Sequence, residues 1–458
     1  MKKIRKIVQE VESWYGLDKI QYEGYPLWDY LRGYIIDSVR AKVQHEGLRR
    51  QKLSGRQLIK MFCSIFWGLS CYFQRYNRVV FSSSERLKVI NDMLEDRVAG
   101  GLFRLPGKTL LVLSPIPAFY PQRRKLRDDC TTNEALLYLI AAIIGWLCYR
   151  PSKIINRGTI EDIARKYQID LNLDALVCRF IGQKIALKIA VKFWRPEVIY
   201  YVNAPGYVAY LAAAHDSGIK TVELQHGIIH YNHPSYLRYL EGDSRLRPQY
   251  LLSYGKNDKD FFNPKNTLYI CNNNVQICGS YIMDYLNKCF DINEKYTYNN
   301  RVCFTSNFHY EDRIIPFLKR VAELNPFICF EFVPRYAYQD YDYACFPPNI
   351  IVVRDGFYES IYRCCIHSTM LSTCALESLV IGIPSVLFDI DGLSKGYFEP
   401  IIGEMKGVFF ATKPEDYKKC VERAMELDIE TIKITGSYFF ELGFVDKVAK
   451  FEASLIGQ

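Results

Sequence analysis

The sequence predicts an α/β protein with two consecutive domains, each built on a parallel β-sheet that helices cover on both faces. Short β-rich runs alternate with helical stretches from about residue 78 to residue 425, which is typical of β-α-β units. The alternation is interrupted once, by a charged segment with Gly and Pro at residues 238–250. The length of 458 residues is also too great for one compact core and suits two domains of about 200 residues each.

The first alternation lies before this break. Apolar runs at short spacing with helical stretches between them predict a parallel sheet covered on both faces. The predicted strands are NRVVFSSS (77–84), KTLLVLSPIP (108–117), PEVIYYVN (196–203) and KTVELQHG (220–227), and the predicted helices cover 160–194 and 206–219.

The second alternation follows the break. Its predicted strands are YLLSYG (250–255), VQICGS (275–280), NRVCFTSN (300–307), FICFEFVP (327–334), NIIVVRD (349–355), RCCIHST (363–369), PSVLFD (384–389) and GVFFAT (407–412). Helices are expected at 311–324 and 372–382, and the tail from 414 to 458 is mostly helical. Two Rossmann-like domains facing each other across a cleft are therefore expected, with ligands at the carboxyl ends of the strands.

These patterns divide the chain into four segments. Residues 1–75 form a helical, basic and aromatic-rich region, residues 76–240 the first Rossmann-like domain and residues 241–425 the second. Residues 426–458 are expected to be helices that pack back toward the first domain.

The composition is that of an ordinary folded protein, with 49% hydrophobic and 24% charged residues. The 15 cysteines are odd in number and include no Cys-x-x-Cys pair. They are therefore expected to be buried small apolar residues in a reducing cytosol, not a disulfide framework or a zinc site. The N-terminus is basic and has its apolar residues at helical spacing, without the continuous apolar stretch of a signal peptide.

The positive charge is concentrated in the first third of the chain. Residues 1–150 hold 25 Lys and Arg against 14 Asp and Glu, or +11, whereas residues 151–458 hold 34 against 36, or −2. Two uncharged apolar runs, Met61–Phe73 and Leu136–Tyr149, lie in the same third, and each is too short, at roughly 20 Å, to span a bilayer core of about 30 Å. The basic residues before the first run favour adsorption to an anionic membrane surface. The alternative is a buried core helix with a solvated basic flank; nucleic acid is not expected as a partner.

The stretch HSTMLSTCALESLVIGIPSVLFD (367–389) combines a strand that ends in hydroxyl residues with a following helix. Ser368, Thr369, Ser372 and Thr373, together with N–H groups at a helix start, predict a phosphate site. Glu377 lies about one turn inside the helix, where its carboxylate could accept hydrogen bonds from ribose hydroxyls. The alternative is a capped helix with Glu377 on its solvated face.

STCALESLVIGIPSVLFD resembles the donor-binding segment of GT-B-fold, nucleotide-sugar-dependent glycosyltransferases, in particular those of bacterial capsule and O-antigen synthesis. YLLSYG, VQICGS and QHG occur in the same order in such proteins, and the resemblance covers roughly residues 195–425. Related epimerases and the polyol-phosphate polymerases of teichoic acid synthesis share parts of it. The resemblance implies that Ser368, Ser372 and Thr373 hold the donor phosphates and that Glu377 binds the ribose.

One position departs from this pattern. Transferases that use CMP-activated acidic sugars commonly carry a His-Pro pair after the strand that matches FICFEFVP, where this chain has Val333-Pro334-Arg335-Tyr336. A CMP-sugar donor is therefore not expected. Arg335 can serve the same electrostatic purpose, since a guanidinium pairs bidentately with phosphate.

The stretch TVELQHGIIHYNHPSY (221–236) carries His226, His230 and His233 within eight residues. It ends the last strand expected in the first domain, so three interpretations stay open: a metal site, a strand end with hydrogen-bonded histidines, or a cleft-facing loop. No acidic residue lies between His226 and Pro234, so the metalloprotease pattern is absent. In a cleft, His226 could act as a general base toward an acceptor hydroxyl or bind the donor. Gly227 and His233 would line the same cleft.

Two further stretches carry candidate site residues. YEGYPLWDYLR (22–32) contains a Gly-x-x-x-Trp stretch followed by Leu-Arg, which often lies early in the proteins that this chain resembles. The resemblance implies that Glu23 or Asp29 supplies a base and that Trp28 stacks on a sugar face; the alternative is a Trp-anchored helix start. In FTSNFHYEDR (304–313), Ser306 and Asn307 follow the predicted strand and are expected to approach the donor pyrophosphate.

The resemblance and the basic first third together predict a GT-B glycosyltransferase. It would be cytoplasmic, peripheral on the inner face of the cytoplasmic membrane, and would move a sugar from a nucleotide-sugar donor to a lipid-linked or growing polysaccharide. No metal and no other cofactor are expected, because hydroxyls and N–H groups would stabilise the departing nucleotide. The alternatives are a CDP-alditol polyol-phosphate transferase of the same fold and a non-catalytic scaffold at the membrane surface.

Overall fold

The computed structural model describes residues 2–14, 16–43, 59, 62–90, 93–114, 130–231, 233–289, 300–307, 310–335, 345–354 and 356–457. The chain forms two compact units. The first unit consists of Met1–Ser253, Asp258–Tyr281 and Phe444–Gln458, and the second of Tyr254–Asn257 and Ile282–Gly443. Each unit is built on one parallel sheet with helices around it, which confirms the predicted α/β fold class.

The first unit contains twelve strands within its described residues. They are β1 (Gln21–Tyr22), β2 (Tyr25–Pro26), β3 (Arg78–Ser83), β4 (Leu87–Ile90), β5 (Met93–Asp96), β6 (Thr109–Ser114), β7 (Thr131–Asn133), β8 (Ile154–Ile155), β9 (Val198–Val202), β10 (Lys220–Leu224), β11 (Tyr250–Ser253) and β12 (Val275–Ile277). Seven of them form a parallel sheet in the order β12-β11-β10-β9-β3-β6-β7. The direction of winding reverses between β3 and β9, so their carboxyl ends mark the switch point of this sheet. Strands β4 and β5 form a separate hairpin, and β1, β2 and β8 a small antiparallel sheet.

The helices of the first unit surround this sheet. They are α1 (Lys2–Glu12), α2 (Trp28–Val43), α3 (Ala135–Cys148), α4 (Arg157–Tyr167), α5 (Leu173–Trp194), α6 (Val208–Asp216) and α15 (Phe444–Ile456). One hydrophobic cluster joins α1, α2, α4 and α5, and a second joins α3, α5 and α6 to the sheet. The N-terminal helices are therefore part of the core of this unit.

Strands β11 and β12 differ from the expectation, which assigned both to the second domain. Leu224 pairs in parallel with Leu252, and Leu251 with Val275, so both strands extend the first sheet. The apolar pattern predicts that a strand forms but not which sheet it joins, because every strand buried on both faces looks alike.

The C-terminal tail is divided between the units. Residues 426–443, with α14 (Ile429–Phe439), belong to the second unit, and α15 belongs to the first. Glu452 of α15 accepts hydrogen bonds from Arg78 of β3 at 2.6 Å and from the Tyr200 hydroxyl of β9 at 2.5 Å. These buried contacts fix the last helix to the central strands of the first sheet.

The second unit is built on six parallel strands in the order β15-β14-β13-β16-β17-β18. They are β13 (Arg301–Thr305), β14 (Cys329–Val333), β15 (Ile350–Val352), β16 (Ile366–Thr369), β17 (Ser385–Phe388) and β18 (Val408–Ala411). Their helices are α9 (Glu311–Leu324), α10 (Phe357–Ile361), α11 (Cys374–Val380), α12 (Leu393–Ile402), α13 (Tyr417–Met425) and α14, while α7 (Lys256–Phe261) and α8 (Tyr281–Cys289) lie where the chain changes unit. The winding reverses between β13 and β16, which places the switch point of this sheet at their carboxyl ends.

The apolar runs and the cysteines of the sequence can now be located. Leu136–Tyr149 corresponds to α3. Of Met61–Phe73, Met61 lies outside the described residues, residues 62–64 are helical, and the rest forms a turn and a short 3₁₀ segment. No helix in the described ranges is long and apolar enough to cross a bilayer. No two of the 15 cysteines form a disulfide bond. Five of them are exposed, so the expectation of uniform burial is wrong: Cys63, Cys148, Cys271, Cys289 and Cys345.

Candidate functional site

The switch point of the second sheet brings together two of the predicted stretches. Ser306 and Asn307 directly follow β13, and Ser372 and Thr373 follow the neighbouring strand β16. The side-chain amide of Asn307 donates a hydrogen bond to the carbonyl oxygen of Leu371 at 3.0 Å. This bond ties the two loops to each other at the position where doubly wound sheets bind ligands.

Ser306 itself faces inward. Its side chain is buried, and its hydroxyl donates a hydrogen bond to the carboxylate of Glu311 in the first turn of α9. This contact fixes the loop after β13 to the helix that follows it. Of the two residues that the sequence predicts here, Asn307 is the more accessible.

Ser368 and Thr369 differ from the prediction that they hold a phosphate. Both lie inside β16 and are fully buried. The Ser368 hydroxyl is hydrogen-bonded to that of Tyr417 at 2.8 Å, and the Thr369 hydroxyl donates to the carbonyl oxygen of Thr305 at 2.8 Å. Because β16 continues to Thr369, these hydroxyls stabilise the sheet and do not face a ligand.

Ser372 and Thr373 are half-buried at the start of α11. The Ser372 hydroxyl accepts a hydrogen bond from the backbone N–H of Cys374 at 3.3 Å, as in a turn that precedes a helix. These two hydroxyls are the members of the predicted phosphate set that lie at the edge of the sheet with part of their surface exposed.

Glu377 lies in the first turn of α11 and is only 4% exposed. The Tyr358 hydroxyl donates a hydrogen bond to its Oε2 at 3.3 Å. The alternative of a solvated helix face is therefore wrong for this residue. The helix ends at Val380. Gly382 follows with a φ of +77°, which suits glycine, and the N–H of Ile383 bonds to the carbonyl oxygen of Ser378 at 3.0 Å. This cap returns the chain to β17 and explains the Gly-x-Pro of the motif.

Arg335 follows β14, the neighbour of β13, and its side chain is exposed. It forms no ion pair with any residue that the structure describes. Its charge is therefore available to an anion at the carboxyl edge of the second sheet.

The first unit presents the histidine stretch at the carboxyl end of β10. His226 is half-buried, and its Nδ1 is buried without a hydrogen-bond partner among the described residues. Burial lowers the pKa of His226 well below its ordinary value of 6.5, and the nearby charges of Arg86 and Arg97 lower it further. The imidazole is therefore neutral at pH 7.

His230 and His233 lie in the turn that follows. Burial lowers the pKa of His230 to about 3 and that of His233 to about 4, so both are neutral at pH 7. The N–H of His233 bonds to the carbonyl oxygen of His230 at 2.9 Å, and the His233 ring lies 4.9 Å from that of Tyr236. Across the described ranges, no three or more His, Cys, Asp or Glu side chains are grouped so that they could hold a metal ion.

The structure does not require glycine at position 227. A Cβ at this position would meet no heavy atom within 4 Å. Its carbonyl oxygen accepts a hydrogen bond from the Gln225 side chain at 2.8 Å, which closes the loop around His226.

The three candidate residues of the N-terminal stretch stabilise the fold of the first unit and do not form a binding site. Trp28 is buried in the first hydrophobic cluster and cannot stack on a sugar. The buried carboxylate of Asp29 is paired with the guanidinium groups of Arg238 and Arg247, so it joins two segments of the first unit. Glu23 lies in the two-residue turn between β1 and β2, with φ of +50°, and is ion-paired with Lys153. We therefore correct the assignments of Trp28, Asp29 and Glu23.

Arg32 of the same N-terminal stretch has a role that the sequence did not reveal. Its buried guanidinium donates to the carbonyl oxygens of Pro234, at 2.7 Å, and Leu237, and pairs with Glu12 at 2.5 Å. Glu12 also accepts the N–H of Tyr239 at 2.6 Å. Helices α1 and α2 thus hold the loop that carries His233.

Three charged residues near the carboxyl edge of the first sheet were also missed. Arg86 and Arg97 flank the β4–β5 hairpin, and the N–H of Arg97 bonds to the carbonyl oxygen of Arg86 at 3.0 Å. Glu134 directly follows β7, and burial raises its pKa to about 8 although the Tyr138 hydroxyl donates to it. The sequence signal was weak, because an arginine at each end of a hairpin and a single glutamate before a helix are common patterns.

No protein-family model matches the chain, and no curated protein matches it either. Solved structures do match. The calicheamicin glycosyltransferase CalG4 aligns with a TM-score of 0.51 over 84% of this chain and 99% of that chain, at 11% identity. The UDP-GlcNAc 2-epimerase from Neisseria meningitidis aligns with a TM-score of 0.48 over 83% of this chain and 100% of that chain, at 11% identity. The wall teichoic acid polymerase TagF aligns with a TM-score of 0.45 over 93% of this chain and 97% of that chain, at 11% identity.

At such low identity these alignments concern the fold alone. The likeness to CalG4, together with the two doubly wound sheets, shows that the chain has the GT-B fold. This confirms the fold that the sequence predicted.

Proposed function

We propose that the protein is a glycosyltransferase that moves a sugar from a nucleotide-sugar donor to a lipid-linked or growing cell-surface polysaccharide. The observation that carries the proposal is the bond between Asn307 and Leu371, which joins two loops at the switch point of the second sheet. Exposed Arg335 follows the neighbouring strand and adds a positive charge to the same edge. A diphosphate is the kind of ligand that such an edge binds.

The second unit would bind the donor. Ser372 and Thr373 would donate hydrogen bonds to its phosphates, and Arg335 would pair with one of them bidentately. Glu377 would accept a hydrogen bond from a ribose hydroxyl. A carboxylate offers about four lone-pair sites, so a bond from the ribose can coexist with the bond from Tyr358.

The first unit would bind the acceptor and supply the base. His226 is neutral at pH 7, so its lone pair can take the proton of an attacking hydroxyl. A base with so low a pKa is weak. An anionic acceptor group beside Arg86 and Arg97 would raise the pKa of His226 and strengthen the base when the acceptor is bound. An acceptor with a phosphate near the reacting sugar fits this arrangement.

The departing nucleotide would be stabilised without a metal ion. Arg335, the two hydroxyls and the N–H groups at the start of α11 would share the negative charge that develops on the leaving phosphate. Metal independence is part of the proposal, and the donor measurement below tests it by including a chelator.

The acceptor class connects the proposal to the membrane. A lipid-linked glycan is presented at a bilayer, and the excess of +11 in residues 1–150 suits the inner face of the cytoplasmic membrane. A role in bacterial capsule or O-antigen synthesis follows from the resemblance of residues 195–425.

The experiment that tests the proposal measures thermal unfolding with UDP, GDP, CDP, CMP and TDP, each with and without EDTA. A ligand that binds only the folded state stabilises it by about 2.7 kcal/mol at a hundredfold excess over Kd. We expect one nucleotide to raise Tm regardless of EDTA. Transfer of a labelled sugar from the matching donor to a membrane extract would then identify the reaction.

Other outcomes would replace the proposal. A response to CDP alone, followed by an alditol phosphate in the product, would make the protein a polyol-phosphate transferase. Conversion of the donor sugar without any acceptor would make it an epimerase. If no nucleotide changed Tm, a non-catalytic scaffold at the membrane surface would be the remaining function.

A further inference from the structure

The two apolar runs of the first third form outer surfaces of adjacent elements in the first unit. The segment 62–73 is anchored to β7: the Asn133 side chain donates to the carbonyl oxygen of Ser64 at 2.8 Å, and the Tyr72 hydroxyl donates to the carbonyl oxygen of Asn133 at 2.8 Å. Helix α3 begins two residues after β7. Both runs therefore lie beside Asn133 at the carboxyl end of β7.

Helix α3 packs on α5 in an antiparallel direction and at very short distance. A Cβ on Gly182 would lie 2.0 Å from the carbonyl oxygen of Ala141, and a Cβ on Gly145 would lie 2.6 Å from that of Cys178. Glycine at these positions allows the close approach. This pairing puts the start of α3 level with the end of α5, where Phe193 lies 6.1 Å from Phe73, measured between ring centroids.

The outward sides of these elements are apolar and exposed. Trp146 is 77% exposed, Phe73 71% and Phe66 67%. Leu139, Ile143 and Trp146 follow one another at helical spacing, so they form one stripe along α3. The other exposed members of this surface, which we call the apolar face, are Phe62, Leu69, Leu147 and Phe193.

Positive charges border the apolar face. Arg75, Lys192 and Arg195 are exposed and make no ion pair within the described part of the chain. Arg150 donates to the carbonyl oxygens of Leu147 and Tyr149 at 2.8 Å each, which holds its guanidinium at the end of α3. Helix α3 itself contains no charged residue over its 14 positions.

We propose that the apolar face of the first unit, with its border of Arg75, Arg150, Lys192 and Arg195, is the surface by which this protein binds an anionic lipid bilayer. Large side chains on a face without charges enter the boundary of the acyl chains, and the surrounding cations pair with lipid phosphates. The inference deepens the proposed function, and rests on it only for the identity of the acceptor that the bilayer presents.

The test measures cosedimentation of the full chain with phosphatidylcholine vesicles that contain or lack phosphatidylglycerol. We expect binding that requires phosphatidylglycerol and weakens as salt is added. The double variant Ile143→Ala/Trp146→Ala should bind at least tenfold more weakly, because each large apolar side chain contributes about a tenfold change in partitioning. Lys192→Glu should reduce binding to the anionic vesicles.

Phe327 provides the matched control. It is 85% exposed and belongs to the second unit, outside the apolar face. Phe327→Ala should bind vesicles like the wild type. Equal loss in Phe327→Ala and in the double variant, or full binding by the double variant, would overturn the proposal. Unchanged thermal unfolding of the double variant shows that the side chains are lost from the surface and not from the core.

A second copy of the chain is the other occupant to exclude. Sedimentation velocity without lipid measures it: a wild-type dimer that the double variant converts to a monomer, with no vesicle binding, would overturn the proposal. The two proposals can fail separately. Vesicle binding without any effect of a nucleotide on Tm would support the apolar face as a lipid-binding surface and contradict the proposed transferase.

Discussion

Arg32 of α2 holds Pro234 in place, because its buried guanidinium donates a hydrogen bond of 2.7 Å to the carbonyl oxygen of that residue. The same guanidinium pairs with Glu12. The N-terminal helices therefore act on the histidine loop as positioning elements, and their charged residues do not themselves belong to the candidate site.

Replacing Arg32 by methionine should destabilise the first unit. Glu12 would remain buried without its partner, and breaking a buried ion pair from one side costs about 3–5 kcal/mol. Thermal or urea unfolding of Arg32→Met measures the loss. The double variant Glu12→Gln/Arg32→Met should recover part of it, and a double variant that is no more stable than the single one would contradict this account.

His226→Ala should lower kcat for sugar transfer by about 10²–10⁴-fold, the range that general bases contribute. The Kd of the nucleotide should stay unchanged, since the candidate donor site lies in the second unit. Glu23→Gln is the matched comparison and should change kcat less than about twofold, because Glu23 sits in a hairpin turn paired with Lys153. Full activity of His226→Ala would remove it from the mechanism.

Arg335→Ala should weaken nucleotide binding about tenfold, the effect of losing one hydrogen bond to a charged group. Its Tm without ligand should not change, because the side chain is exposed. Ser368→Ala should behave in the opposite way: its hydroxyl bonds to Tyr417 inside the unit, so Tm falls while nucleotide affinity stays within about twofold. Titration calorimetry and thermal unfolding separate the two effects. If Ser368→Ala and Arg335→Ala lost the same affinity for the nucleotide, Ser368 would belong to the phosphate site after all.

Glu134→Gln should make the protein more stable at alkaline pH. Burial raises the pKa of Glu134 from 4.5 to about 8, so between these values the unfolded chain releases the proton while the folded protein keeps it. The free energy of unfolding therefore falls as pH rises through this window. Glutamine does not titrate, so the variant lacks this loss. Its free energy of unfolding relative to the wild type should rise from near zero below pH 4.5 to roughly 5 kcal/mol at pH 9. A pH-independent difference between the two proteins would contradict the raised pKa.

The histidines should give the reverse slope at lower pH. Burial lowers the pKa of His230 to about 3 and that of His233 to about 4, whereas the unfolded chain titrates near 6.5. Below pH 6.5 the unfolded state binds more protons, so the free energy of unfolding falls as pH drops toward 4. Urea unfolding across this range checks the sign, and a flat profile would show that these rings are not buried as described.

The sequence predicted strands better than it predicted sheets. Val198–Val202 is apolar throughout and is buried at every position, as expected of a central parallel strand. Tyr250–Ser253 begins with three apolar residues and is buried at its last three positions. Its membership of the first sheet nevertheless depends on pairing with Val222–Leu224, which is a long-range contact. Periodicity carries no information about such contacts.

The sequence predicted where the candidate site lies better than it predicted which side chains face it. Ser306, Ser372 and Thr373 were expected where strands end, and they lie at the switch point. Ser368 was assigned to the same set because hydroxyl residues cluster there, but β16 runs one residue beyond it and turns its side chain into the core. For Asp29 the obstacle was different, since its partners Arg238 and Arg247 are more than two hundred residues away in the chain.

The contact between Arg78 and Glu452 has a consequence for how the protein is made. Arg78 lies on a central strand of the first sheet, and its buried guanidinium obtains a carboxylate only after a further 374 residues have been synthesised. Until that stretch has been synthesised, the guanidinium of Arg78 lacks this carboxylate partner. The first unit is therefore completed only after all residues of the second unit have been synthesised, and the second unit has by then had time to fold.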